Sequence, residues 1–257
     1  MRNFSALVLL VWIVSCSKNQ EPIAVSAEEL HSAVDKVTEI MVHDIFSPPV
    51  ASRIYAYPNV AAYEIMVLNN ENYNSLSGQV RQLSPIPQPE AGKTINYPLA
   101  ALIAHMDVSR RLIFTEEKIE VFRDSLYNIW ESQNKPEFND SRAYGLEVAA
   151  HIAEWMDKDN YKQTRTMPKF TVNTDEPGRW QPTPPAYMDG IEPHWSKIRP
   201  FVIDSAGQFK PTPPPPFSME EGTDFYKEVK EVYDISNEIT EKGAASEEIE
   251  IAQFWDC

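Results

Sequence analysis

Apolar residues recur at helical spacing through the first 160 positions. Leu30, Val34, Val37, Ile40 and Met41 lie three or four apart on one face, and Ser26 with Glu29 makes a capping box at its start. This helix is predicted to end near Phe46, before Ser47-Pro48-Pro49. Prolines suit a helix start, so the second stripe, Val50, Ile54, Tyr57, Ala61, Ile65 and Leu68, is predicted to begin there, with Pro58 kinking or splitting it. Residues 69–96, with SLSG and PIPQPE, read as a loop. Pro98 opens a third helix running to about Phe114, and its many alanines predict a central element that neighbours approach closely. Thr115-Glu116-Glu117 restarts a helix with acid in its first turn, carrying Ile119, Phe122, Leu126, Ile129 and Trp130 inward. A further helix is predicted from Asp140 or Ser141, with Leu146, Ala149, Ala150, Ala153 and Trp155 on its apolar side. No strand-period alternation of useful length and no internal repeat interrupts this pattern. The expected fold class is all-α, a helical bundle over residues 26–160.

The pattern then changes. Residues 161–222 have no helical period and hold many of the 21 prolines. Structureless segments this long are uncommon inside a compact domain and are usually functional or tied down. Phe170, Trp180, Tyr187, Trp195, Phe201 and Phe209 punctuate it, which predicts a stiff strap whose aromatics each fill a groove on the helices. Helix returns at Thr223–Asn237 and again near Ser246, with Ile249, Ala252, Phe254 and Trp255 apolar. No Gly, basic residue or polar tail stops that last helix, so residues 223–257 are expected to begin a further, truncated helical region.

Composition narrows the class. With 42% hydrophobic residues the chain can bury a core, and 23 Lys+Arg against 38 Asp+Glu give a net charge of −15, which disfavours nucleic acid as a partner. The N-terminus MRNFSALVLLVWIVSC has a basic residue, an apolar run too short to span a bilayer and small or polar residues before Cys16. Residues 1–15 therefore read as a signal peptide. Ile13-Val14-Ser15-Cys16 resembles a bacterial lipobox, which implies acylation of Cys16, a lipidated tether over residues 16–25 and an exported protein held in the periplasm or at the outer membrane of a Gram-negative bacterium. The only other cysteine is Cys257, so with Cys16 acylated no intrachain disulfide is possible.

Candidate chemistry is sparse. The five histidines, His31, His43, His105, His151 and His194, form no H-E-x-x-H and no Glu-x-x-His pair. Glu147, His151 and Glu154 share a helical face and read as a surface cluster rather than a metal site, and His43-Asp44 and His105-x-Asp107 read as equally ordinary. No phosphate-binding Gly-rich loop or nucleophile elbow is present.

Five segments nevertheless carry a resemblance: PPVASRIYAYPNVAAYE (48–64), YPLAA (97–101), GLEVAAHIAEW (145–155), PGRWQPTPPAY (177–187) and HWSKIRPFVIDSAGQFKPTPPPP (194–216). Together they resemble exported bacterial vanadium-dependent haloperoxidases, relatives of the type 2 phosphatidic acid phosphatases. The resemblance implies peroxide-dependent halide oxidation or phosphoester hydrolysis in full-length relatives. Their site combines Lys and two Arg around a tetrahedral oxyanion with one bonding and one acid–base His, in Lys…Arg-Pro, P-S-G-H and Ser-Arg…His segments. Fixed cations and a nucleophilic imidazole are what such an oxyanion needs. This chain offers near-matches only. Arg199-Pro200 has Glu192 where the family's Lys would stand, Ser141-Arg142 has Val148 where its His would stand, and P-S-G-H is absent. No catalytic, cofactor-binding or metal residue is assigned, vanadate is expected only in a full-length relative, and whether this chain is itself an enzyme is left open. The expected partners are a membrane, through the lipid, and a missing C-terminal catalytic bundle. The alternative is a complete helical surface lipoprotein that captures a glycan or another ligand through aromatic side chains; it requires those aromatics side by side in the open, whereas the strap requires them buried.

Overall fold

Every amphipathic stretch of the first 160 residues becomes a helix. The computed structural model describes residues 20–242 and 246–256, and they divide into two units: Met1–Thr166 with His194–Val202, and Met167–Pro193 with Ile203–Cys257. The first unit contains α1 (Ala27–His43), α2 (Pro48–Val67), α3 (Tyr97–Arg110), α4 (Glu116–Gln133), α5 (Lys135–Asp157), the short α6 (Tyr161–Thr164) and a 3-10 turn at Trp195–Lys197. Among the described residues, extended pairing is limited to one isolated bridge between Ser77 and Val80.

At the centre lies α3, where every residue from Leu99 to Ser109 is buried. A helix apolar on one stripe needs one neighbour; a helix buried all round needs several, and α3 meets α1, α2, α4 and α5. Its alanines allow this. At the α5 crossing, a Cβ on Gly145 would lie 2.6 Å from the Ala100 carbonyl oxygen, so only glycine fits that approach.

Several boundaries differ from expectation, each for a local reason. The first helix ends at His43 rather than near Phe46, because Asp44 turns away to accept hydrogen bonds from the backbone N–H groups of Phe114 (2.9 Å) and Thr115 (3.0 Å), and Ile45 takes a left-handed φ of 56°. Pro58 does not split α2, which runs unbroken with Tyr57, Pro58, Val60 and Ala61 all buried; packing on both sides of the proline holds it. The fifth helix begins at Lys135, not at Asp140 or Ser141: Asn134 caps it by accepting from the Glu137 N–H at 3.3 Å, and Pro136 sits in the first turn, where its missing donor costs nothing. Ala150 and Ile129 are exposed; Ala149, Ala153 and Trp155 are buried as expected, joined on that face of α5 by Tyr144, Val148 and Ile152.

Residues 69–96 are irregular, as expected, but firmly held. Buried Glu64 accepts from Ser75 Oγ (2.6 Å) and the Leu76 N–H (2.7 Å), Tyr144 Oη donates to the Pro87 carbonyl (2.9 Å), and Val80, Leu83 and Ile86 enter the core. The N-terminal segment is held too. Ile23 is buried, donates its N–H to Glu137 Oε2 (2.7 Å) and accepts from Asn96 Nδ2 (2.7 Å), while Asn134 Nδ2 donates to the Glu21 carbonyl (3.2 Å). The tether expected over residues 16–25 is therefore corrected: from Glu21 onward it is part of the folded body.

The second unit contains α7 (Asp224–Lys242) and α8 (Glu247–Trp255), the first five residues longer than predicted at its C-terminal end and the second capped by Ser246 Oγ accepting from the Ile249 N–H at 3.3 Å. Neither helix buries a residue, and Val232, Tyr233, Phe254 and Trp255 are exposed. The strap expectation is corrected here. Phe170, Trp180, Tyr187 and Phe209 stay between 48% and 78% exposed, and Phe170 packs edge-on against Trp180 at 5.6 Å. Within the first unit Trp195 and Phe201 pack on the helices, and residues 194–202 also lend backbone groups: Arg199 N–H donates to the Asp159 carbonyl (2.9 Å) and the Phe201 carbonyl accepts from Arg81 N–H (2.8 Å). The proline-rich stretches on either side have fewer donors to offer.

Candidate functional site

Polar chemistry in the first unit converges where α2, the C-terminus of α5, α6 and residues 194–202 meet. Asp159, 1% exposed, is the hub. Its Oδ2 accepts from Arg53 Nε (2.6 Å) and Tyr57 Oη (2.9 Å), and its Oδ1 from the Tyr161 N–H (2.8 Å). The Arg53 guanidinium lies against the rings of Tyr161 (4.4 Å) and Tyr57 (5.0 Å). Burial, followed by the adjoining Asp159 charge, pushes the Tyr57 phenol well above its ordinary range, so it stays a donor. Beside this hub a cavity of about 420 Å³ is lined by Arg53, Arg111 and Lys162, by Asp157, and by an apolar wall that includes Phe46 and Phe114.

The sequence near-matches have structural work. Arg199 donates through Nη2 to the Trp155 carbonyl (3.0 Å) and Tyr57 Oη (3.3 Å), through Nη1 to Gln82 Oε1 (3.2 Å), and stacks over the Trp155 ring at 4.7 Å. Ser141 is fully buried and accepts from the Asn96 N–H at 2.9 Å; Arg142 lies over the Tyr127 ring at 5.4 Å; Val148 is core. Arg199, Ser141 and Arg142 each brace the fold.

The histidines are scattered. His43 Nδ1 pairs with Asp44 at 3.1 Å, His31 faces Glu28 at 3.9 Å, and His151 holds the loop through the Ser84 carbonyl at 3.2 Å, apart from any metal cluster with Glu147 and Glu154. His105 is buried in α3 with Nδ1 unpartnered, and burial lowers its pKa to about 4. Asp107 is bound by Arg111 at 2.9 Å. Cys16 and Cys257 lie outside the described residues.

Two of these groups predict an acid profile. A histidine depressed from 6.5 to about 4 stabilises the fold fully above its unfolded pKa, and that contribution falls away as pH drops from about 6.5 towards 4. Burial tends to raise the Asp44 carboxyl, but hydrogen bonds from Thr115, His43 and Phe114 outweigh it and hold the pKa at about 2, so its contribution persists to lower pH and is lost between about 4 and 2. Unfolding midpoints measured against pH should fall in these two windows. His105→Leu should flatten the first and Asp44→Asn the second; a variant that leaves its own window unchanged would refute that assignment.

An oxyanion such as vanadate needs several fixed cations and an imidazole aimed at its centre. The Arg53 cavity supplies three cations, yet no histidine lines it and Asp157 does. The described residues therefore do not fit that group.

No family model and no curated protein matches the chain. Among solved structures, the crystal structure of a bacterial vanadium-dependent iodoperoxidase is similar at 68% identity and a TM-score of 0.90, over 93% of this chain and 57% of that one. Its likeness extends to fold and sequence alike, whereas the chain spans little more than half of its length. At that identity and fold similarity, the chain resembles a vanadium-dependent haloperoxidase over 57% of the length of the iodoperoxidase.

Proposed function

We propose that this chain is the N-terminal, non-catalytic portion of an exported, lipid-anchored vanadium-dependent haloperoxidase. The observation that carries the proposal is the iodoperoxidase likeness, 68% identical across 93% of the chain yet covering 57% of the relative. The unfilled apolar sides of α7 and α8 support it: side chains such as Val229, Val232 and Tyr233 repeat along α7 with nothing buried beneath them, as on a helix whose neighbour belongs to the rest of a longer protein. On this reading peroxide-dependent halide oxidation belongs to the complete protein, and this portion supplies scaffold and anchor.

The purified chain, given vanadate, peroxide and iodide or bromide, is expected to show no halide oxidation above the protein-free rate. Turnover abolished by a single substitution in this chain would overturn the assignment.

Export and anchoring rest on the lipobox-like end of the leader. Metabolic labelling with a fatty acid should tag the wild-type protein in a Gram-negative host and be lost in Cys16→Ser. Equal labelling of the two would remove the lipoprotein reading. The first described residues support a short anchor: with Glu21 and Ile23 bound to Asn134 and Glu137, four residues separate Cys16 from the folded body. Fully extended, they reach about 14 Å, which would keep the bundle against the membrane surface.

A further inference from the structure

Arg53 links the Asp159 hub to the cavity beside it. Asp159 is the one hydrogen-bond acceptor that Arg53 meets among the described residues, and it takes Nε. That carboxylate is fully engaged: Oδ2 also receives Tyr57 Oη, and Oδ1 receives the Tyr161 N–H. A guanidinium carries five N–H donors; Arg53 uses Nε on Asp159, and its terminal nitrogens, with no acceptor among the described residues, are not sealed from solvent and remain available to a ligand. The rings of Tyr161 and Tyr57, 4.4 and 5.0 Å from its central carbon, hold the group in place. Arg53 lines the cavity of about 420 Å³, a volume suited to a small molecule.

The remaining walls say what kind of molecule. Arg111, anchored from behind by Asp107 at 2.9 Å, and Lys162, paired with Asp157 at 2.8 Å, bring further positive charge; the lining holds three cations and one carboxylate. The opposite wall is apolar, with Phe46 and Phe114 in ring contact at 4.6 Å and Ile113 and Met156 beside them. Phe114 is 76% exposed, so its ring is accessible to a ligand in the cavity.

We propose that this cavity binds a small organic carboxylate bearing a compact apolar group. The planar fork of Arg53 receives the carboxylate oxygens, a match that lysine cannot reproduce. Arg111 and Lys162 add screened attraction at the rim. Phe114 and Phe46 cover the apolar group. The site lies wholly within the first unit and is independent of whether the complete protein oxidises halides.

Phenylacetate is the probe, titrated into the full chain and followed by ligand-observed NMR, beside acetate, which lacks the ring, and phenylacetamide, which lacks the charge. Phenylacetate is expected to saturate below about 10 mM, a weak affinity appropriate to so small a ligand. Each control should bind about tenfold or more weakly, since one loses a charged hydrogen-bond pair and the other a buried ring. Arg53→Lys keeps the charge and loses the fork, and should weaken phenylacetate by about tenfold. If that variant fails to fold, Arg111→Gln and Phe114→Ala, both at exposed or half-exposed positions, carry the test, each expected to weaken binding several-fold. Absence of saturation, equal binding of phenylacetamide, or unchanged affinity in both Arg111→Gln and Phe114→Ala overturns the proposal.

Discussion

Asp159→Ala is expected to lower the unfolding free energy by about 3–5 kcal/mol, the cost of leaving a buried charge without its partner. Arg53 is 8% exposed and hydrogen-bonds no other carboxylate among the described residues, so deletion of Asp159 removes its one charged partner. It also orphans Tyr57 Oη and the Tyr161 N–H, which face the same carboxylate at 2.9 and 2.8 Å. Asp159→Asn keeps acceptor capacity but loses the charge, and should fall between wild type and alanine. Tyr57→Phe removes the hydroxyl that donates to the Asp159 carboxylate and accepts from Arg199, and should cost about 1.5–3 kcal/mol. Urea titrations of the three variants give this ranking directly. A shift below about 0.5 kcal/mol for Asp159→Ala, within the range of ordinary surface changes, would mean that water reaches the pair and that the hub is not a buried one.

That hub was invisible in the sequence. Arg53 interrupts an apolar stripe between Val50 and Ile54, and Asp159 follows the end of α5, so each reads as an ordinary polar residue in its own neighbourhood. The partners stand 106 positions apart, and periodicity reports which face of a helix is buried, never which distant residue meets it. Helix faces were legible for the same reason. Val37, Ile40 and Met41 on α1, and Val50, Ile54, Tyr57, Ala61 and Ile65 on α2, are buried as their spacing requires. The alanine-rich third helix is central because small side chains leave room for neighbours on every side.

Reading aromatics as buried anchors failed at four of six positions in the strap for a physical reason. A large ring gains burial only where the backbone can be tied down beside it. Residues 194–202 have that tie in Arg199 and in the Phe201 carbonyl, whereas Phe170, Trp180, Tyr187 and Phe209 remain open. Those open rings meet one requirement of a ligand-capturing lipoprotein, yet they equally suit a surface covered by the rest of a longer chain, and the iodoperoxidase likeness favours the second. The Arg-Pro and Ser-Arg pairs illustrate a further limit. Arg199, Ser141 and Arg142 have the residue types of an oxyanion site, but their partners are a carbonyl, a backbone amide and a tyrosine ring. Residue type suggests chemistry; only the partner assigns it.

Trp155→Ala is expected to destabilise the first unit by about 3–5 kcal/mol, as for other buried large aromatics. The side chain is 4% exposed and joins three segments that are distant in sequence. Its Nε1 donates to the Arg81 carbonyl at 2.9 Å, its ring meets Tyr57 edge-on at 4.9 Å and stacks with Phe201 at 5.4 Å, and the Arg199 guanidinium covers it at 4.7 Å. Alanine there opens a cavity, removes the indole donor to the Arg81 carbonyl and removes the surface on which residues 194–202 rest. Trp180→Ala is the matched control. With 49% of that residue exposed, the loss should be about 0.5 kcal/mol or less. Trp195→Ala should lie between them, since Trp195 is half-buried and meets Tyr161 edge-on at 6.4 Å. Denaturant unfolding gives the order, and hydrogen exchange gives the mechanism. In Trp155→Ala the N–H groups of Arg81 and Arg199, which bond to Phe201 and Asp159 across this junction, should lose protection before the α3 core does. Equal losses for Trp155→Ala and Trp180→Ala would refute the ranking by burial. Retained protection at Arg81 and Arg199 would show instead that backbone hydrogen bonds, and not the stacked rings, hold residues 194–202 to the helices.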